Sequence, residues 1–223
     1  FKDTKVVDSK GDPLPVYHAT RAPKGFEIFE KTEDIGFHAG SKSQANRRIT
    51  KSKTLSDKEY YKSSNIMKLY YNIKNPMYLP DLNNWYPLEV LQEIKSQYGF
   101  KDIPKLTGYG DNRYKEIVDY IKSKGFDGVI YINDYETRGD KGADALFGVY
   151  RHLETAKDKV QFLINLSKIS KSNKELDLLS YIAFDANQIK SATAMADKPT
   201  KDPRISYQLK PTEKPTLYSP ALR

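Results

Sequence analysis

Two histidines and a few carboxylates carry most of the chemistry that this chain can offer. His18 lies in Val16-Tyr17-His18-Ala19-Thr20 and His38 in Gly36-Phe37-His38-Ala39-Gly40. Each is followed by small residues, which let a ligand approach the backbone closely. A neutral imidazole presents one donor and one acceptor, a set that suits a sugar hydroxyl. Spacing alone equally fits two half-buried histidines bonded to the backbone. No Walker-type phosphate loop, zincin helix or nucleophile elbow is present. With 0 Cys and 3 His there is no disulfide, no thiolate nucleophile and no thiolate or histidine-rich metal centre, so no metal is expected.

These residues need a scaffold. The turn-forming cluster Ser9 to Pro13 sits between Lys5-Asp8 and Leu14-His18 and predicts a β-hairpin that leaves His18 near a strand end. Residues 35–40 predict a short strand. Ser41 with Gln44 three residues later has the form of a capping box, starting a helix through Ala45, Arg47 and Ile49. The Lys/Ser-rich stretch 50–65 predicts a mobile loop. Alternation of Met67, Leu69, Tyr71 and Ile73 with polar neighbours predicts a half-buried strand.

Two helices follow, Pro87 to Tyr98 with Leu88, Leu91 and Ile94 on its apolar face and Gly99 as its cap, then Tyr114 to Lys124 ending at Gly125. Residues 128–132 and 180–184 read as buried strands. Leu146, Val149, Leu153, Val160, Leu163 and Leu166 recur at helical intervals, predicting one or two helices in an insertion. The order β-β-α-β-α-α-β-α-β is that of a mixed α+β domain. From residue 193 onward five prolines interrupt any regular element, so 193–223 is expected to be a surface-hugging or disordered extension to a domain over 1–192.

Lys+Arg of 37 against Asp+Glu of 29 gives a net charge of +8, compatible with nucleic acid or acidic partners. No apolar run approaches the ~18 residues of a membrane span. Mean hydropathy of -0.72 describes a wet surface over a core that relies on 17 Tyr and 9 Phe. A chain that opens on Phe1 is expected to be a processed product or a piece of something longer, with oligomeric state undetermined.

Five segments in order resemble the ADP-ribosyltransferase-like domains of polyvalent proteins in phages and mobile elements. They are Tyr17 to Thr20, Gly36 to Asn46, Asn75 to Asp81, Lys124 to Gly128 and Tyr181 to Ser191. The resemblance spans about 5–49, 66–81, 112–137 and 180–209, and leaves the helical insertion 138–179 unexplained. It implies a split mixed β-sheet with peripheral helices, NAD as substrate, and a phage or mobile-element effector. Such an effector would modify a host macromolecule and release nicotinamide. A host protein is the expected target, nucleic acid the other, and no membrane is involved. The expected setting is the host cytoplasm, reached by injection from a virion.

By the same resemblance His18 would bond a ribose hydroxyl, the Ala19 backbone would read the nicotinamide amide, and Thr20 would support that edge. Gly36, Phe37 and His38 would form the second wall, with His38 in the place of the aromatic that stacks on nicotinamide. Ser41 and Ser43 would start the helix behind the pocket. Arg47 and Arg48 would meet the pyrophosphate, the alternative being a solvated basic face. In transferring members a glutamate precedes the closing Tyr-Ile strand and stabilises the oxocarbenium-like transition state; here that place holds Ser180, which carries no charge. Glu136 is the first candidate to replace it and Asp177 the second, each with the alternative of an ordinary solvated acid. The competing readings are a domain that binds or slowly hydrolyses NAD, and a basic nucleic-acid-binding virion component.

Overall fold

The computed structural model describes residues 1–22, 25–30, 34–50, 64–137, 141–172 and 178–191. Asp177, residues 51–63 of the expected loop and the extension after 192 lie outside the described residues.

Two small sheets share one chain. The first has the antiparallel order β1-β3-β7, from Val16–Thr20, Asn65–Tyr71 and Ile189–Ser191. The second has the order β2-β6-β5-β4, from Phe37–Ala39, Leu179–Ala183, Gly128–Ile132 and Pro76–Leu79. Its β4-β5 pair is parallel and the others antiparallel, so the sheet is mixed as well as split. The strands β4 and β7 escape sequence reading because Pro76 and Pro80 punctuate the first as a turn and Ile189–Ser191 shows no clear apolar alternation.

The hairpin expected at the N-terminus is only a bridge. Val7 pairs with Pro13 around a turn held by the Asp8 carboxylate, which accepts from the Lys10 and Asp12 N–H groups at 2.8 and 3.0 Å. The strand that follows pairs elsewhere, with β3, because Val16 and Leu69 bury their side chains together there.

The central strands are covered on both faces. In β5, Val129 and Tyr131 face one apolar cluster while Ile130 and Ile132 face the other, the period of two expected of a strand. Each such side chain, once buried, contributes roughly 1.5–3 kcal/mol. One cluster is closed by α2 (Pro87–Tyr98) and α3 (Asp111–Ser123) through Val90, Leu91, Ile94, Ile117 and Ile121. Leu88, expected on the inner face of α2, is 60% exposed: at 3.6 residues per turn it lies about 200° from Val90. Gly99 ends α2 in the left-handed conformation at φ 65°, donating to the Lys95 carbonyl at 3.0 Å. Helix α3 starts three residues before the expected Tyr114.

The other cluster takes in the inserted helices. After the single turn α4 (Asp134–Thr137) come α5 (Lys141–His152) and α6 (Ala156–Ser172). Phe147, Tyr150, Leu163 and Leu166 are buried with Ile130, Ile132 and Tyr181, while Val149 points to solvent. The segment therefore caps the second sheet.

The recurring motifs outside the cleft interlock as structure. The Asp127 carboxylate accepts from the N–H groups of Lys74 and Asn75 at 2.9 and 2.8 Å, and Asn75 Nδ2 donates to the Gly125 carbonyl at 2.5 Å. Gln188 Nε2 donates to the carbonyls of Asp127 and Asn72, while its Oε1 accepts from the N–H groups of Phe184 and Asp185. Three motifs far apart in sequence thus satisfy one another's backbone groups, and none of these contacts lies in the cleft.

Candidate active site

The two sheets meet where Tyr17 and Gly40 exchange backbone hydrogen bonds, N–H to carbonyl at 2.7 and 3.0 Å. That exchange sets His18 of β1 beside His38 of β2. A cleft of about 1030 Å³ opens there, walled by β1, β2, helix α1 (Lys42–Thr50), the loop after β4 and the β5-α4 junction.

His18 is locked. Its Nδ1 donates to the His38 carbonyl at 2.6 Å, and its ring stands edge-on to Phe29 and Phe26 at 5.1 and 6.1 Å. Burial lowers its pKa to about 4, with the charge of Arg48 a lesser cause. The ring is therefore neutral at pH 7, and with Nδ1–H spent, Nε2 is left as an acceptor only. The donor-plus-acceptor role expected from sequence is halved.

His38 is held at both nitrogens. Nε2 lies 3.1 Å from Asp34 Oδ1 and Nδ1 lies 3.2 Å from the Tyr131 hydroxyl. Because an ionised carboxylate only accepts, Nε2 donates to Asp34, and in that tautomer Nδ1 is the nitrogen that accepts from the Tyr131 hydroxyl. Burial, then the carboxylates of Glu136 and Asp81, push the Tyr131 phenol well up, which keeps it a hydroxyl donor. The His38 ring meets Trp85 edge-on at 5.5 Å and Trp85 meets Tyr131 at 4.8 Å. Trp85 gives the cleft an aromatic wall that sequence reading missed.

Ser41 and Gln44 form the expected capping box, with Ser41 N–H donating to Gln44 Oε1 at 2.7 Å and Gln44 N–H donating to Ser41 Oγ at 3.1 Å. Ser41 is thus occupied as a cap, and Ser43 is exposed on the outer side of α1. Neither lines the cleft, nor does Arg47. Ala19, Thr20, Gly36 and Phe37 do. Thr20 Oγ1 accepts from Ala22 N–H at 3.2 Å, and Gly36 is packed so closely on Ala183 and Ile182 of β6 that a Cβ has no room.

Ser180 is buried at the start of β6, opposite Tyr131 of β5. It accepts from Asn133 Nδ2 at 2.9 Å and donates to Gln44 Oε1 at 3.2 Å. Asn133 turns the other way as well: its Oδ1 accepts from Glu136 N–H at 2.9 Å and its carbonyl accepts from Thr137 Oγ1, so it caps α4. Asp81 adds a second cap, accepting from the N–H groups of Asp134 and Tyr135 at 2.9 and 3.0 Å.

The consequence is a carboxylate in the cleft. Glu136 has a side chain only 9% exposed, paired with Arg48 through Nη1 and Oε1 at 3.2 Å, while Arg47 Nη1 donates to the Glu136 carbonyl at 2.9 Å. Both arginines thus reach α4, so neither belongs to a purely solvated face. Sequence reading named Glu136 but missed Asn133, although Asn133-x-x-Glu136 has the spacing of a helix cap followed by an acid in the first turn.

A split mixed sheet whose halves part around a histidine-lined cleft places the domain in the ADP-ribosyltransferase-like class of α+β folds. The chain belongs to the family described as ADP-ribosyltransferase in polyvalent proteins, matched over residues 8–198. Domains of this kind use NAD as their substrate. No curated protein and no solved structure matches the chain.

Proposed function

We propose that the domain transfers ADP-ribose from NAD to a host protein, as an effector of a phage or mobile element acting in the host cytoplasm after delivery from a virion. The observation that carries the transferase reading is the Glu136 carboxylate, buried in the cleft and tied through Asn133 to Ser180, where transferring members hold their acid. The bond between nicotinamide nitrogen and ribose C1′ breaks with its electron pair leaving on nicotinamide. The ribosyl cation that develops is stabilised by Glu136, and the acceptor's lone pair forms the new bond at C1′ while its proton passes to solvent. His18 Nε2 accepts from a ribose hydroxyl, the Ala19 backbone reads the nicotinamide amide, and His38 with Trp85 flanks the nicotinamide ring.

A second reading is supported by the uncharged Ser180 and by the Arg48 contact that partly neutralises Glu136: a domain that binds NAD or cleaves it slowly. Incubation with NAD labelled in the adenine ring and with bacterial lysate separates the two. Label that becomes acid-insoluble and is released by protease supports protein transfer, and label released by nuclease makes nucleic acid the acceptor, as the charge of +8 allows. Nicotinamide release without any fixed label leaves hydrolysis, and no release leaves binding alone.

A further inference from the structure

A carboxylate that already holds a guanidinium gives little net field to a developing ribosyl cation. Glu136 is in that condition, with Arg48 Nη1 at 3.2 Å from its Oε1. The two partners differ in how firmly they are held. Glu136 is 9% exposed and fixed by its helix cap, whereas the Arg48 side chain is 62% exposed and lines the open cleft. The backbone under Glu136 has its own anchor, since Arg47 Nη1 donates to the Glu136 carbonyl at 2.9 Å. Withdrawal of Arg48 would therefore unmask the charge of Glu136 while its main chain stays held by Asn133 and Arg47.

Resting on the NAD reading above, we propose that Arg48 is a donor-sensing positioning residue. It neutralises Glu136 in the empty cleft and moves onto the diphosphate of the bound donor, which frees the carboxylate for the ribose. Guanidinium pairs with phosphate through two parallel hydrogen bonds of short, charge-assisted geometry, against 3.2 Å for the Arg48 Nη1 contact to Glu136 Oε1. Once Arg48 has gone, the Glu136 carboxylate has lost that ion pair, so its attraction for the cation developing at C1′ is gained in the transition state and not in the ground state. The charge of Arg48 is also felt at His18 and Tyr131, which places it centrally among the cleft's polar groups. The device makes the reaction selective for donors that carry a phosphate anion beside the nicotinamide riboside.

The test measures nicotinamide release from NAD and from nicotinamide riboside, which has no phosphate, by the wild type and by Arg48→Gln. The wild type should turn over NAD with a kcat ~10²-fold above that for the riboside. Inorganic pyrophosphate added with the riboside should raise its kcat roughly tenfold in the wild type and leave it unchanged in Arg48→Gln. In the variant, riboside kcat should rise about tenfold, NAD affinity should fall about tenfold, and the two kcat values should converge. Equal loss of kcat on both substrates in Arg48→Gln, or a wild type indifferent to pyrophosphate, overturns the proposal. Titration of pyrophosphate by calorimetry adds a readout independent of turnover: affinity equal in both proteins also overturns it. If pyrophosphate binding depends on Arg48 but the wild type releases no nicotinamide from NAD, it is the transferase reading that fails, and the coupling to Glu136 with it.

Discussion

Asn133 joins Ser180 to the main chain of Glu136, donating from Nδ2 to the serine hydroxyl at 2.9 Å and accepting from the glutamate N–H at 2.9 Å. One amide therefore spans the distance between the strand position where transferring members hold their acid and the first turn of α4, where this chain holds one. Asn133→Ala removes the cap and leaves the Ser180 hydroxyl with one partner fewer. Loss of an N-cap costs about 1–2 kcal/mol, so chemical denaturation should show that drop. Nicotinamide release should fall at least as far as in Arg47→Gln, which leaves the cap intact. Equal activity of Asn133→Ala and wild type would detach Glu136's position from Asn133.

His18 supplies a pH signature. Its folded pKa of about 4 lies below the ordinary value of 6.5, so between these limits the unfolded chain binds the extra proton and the folded one does not. Its contribution is complete above pH 6.5 and is lost as pH falls toward 4, by at most about 3 kcal/mol. Unfolding free energy measured from pH 7 to 4 should therefore decline less steeply in His18→Gln than in the wild type. NAD affinity should drop at least tenfold in His18→Ala, as a lost hydrogen bond at a buried acceptor requires. Parallel stability curves for variant and wild type would count against a neutral His18.

Asp127 separates structure from chemistry. It accepts two backbone N–H groups and lies outside the cleft. Asp127→Ala should cost about 1–3 kcal/mol in thermal or denaturant unfolding and leave the dissociation constant for NAD unchanged. A selective loss of NAD affinity at full stability would contradict this reading of the motif.

Gly40 is where backbone meets the polar network. A Cβ there would stand 2.7 Å from Ser180 Oγ and closer still to Gln44 Oε1. Gly40→Ala should destabilise the domain by about 1–3 kcal/mol and lower activity further than stability alone explains, because Gln44 and Ser180 must both shift. Unfolding and nicotinamide release measured on the same preparation check this.

Much of the scaffold was legible because the signals are local. The capping box at Ser41 and Gln44, Pro87 and Gly99 at the two ends of α2, and the unbroken apolar run of β5 each depend on neighbours within a few residues. The pairing of β1 with β3 was not legible, since a turn signal at Ser9 to Pro13 says nothing about which strand competes for Val16. In the site, His18 and His38 were visible as residues. Their hydrogen-bond states were not, because the partners are a carbonyl 20 residues away and a tyrosine 93 residues away. Trp85 was invisible for the same reason: it enters the cleft from a loop whose course depends on how β4 ends. The resemblance puts Ser41 and Ser43 at the start of the helix behind the pocket and Arg47 with Arg48 at the pyrophosphate; of these four, Arg48 alone lines the cleft, because helix geometry turns Ser43 and Arg47 away from it.

If Glu136, as proposed, does the work of the acid absent at Ser180, its charge must show in single-turnover nicotinamide release by wild type and Glu136→Gln, with NAD affinity measured on both. The variant keeps the shape of the side chain and the cap from Asn133 but lacks the charge. Its rate should fall by ~10² to 10³ while the dissociation constant for NAD stays within a few fold. A variant that releases nicotinamide at the wild-type rate would place the stabilising charge elsewhere.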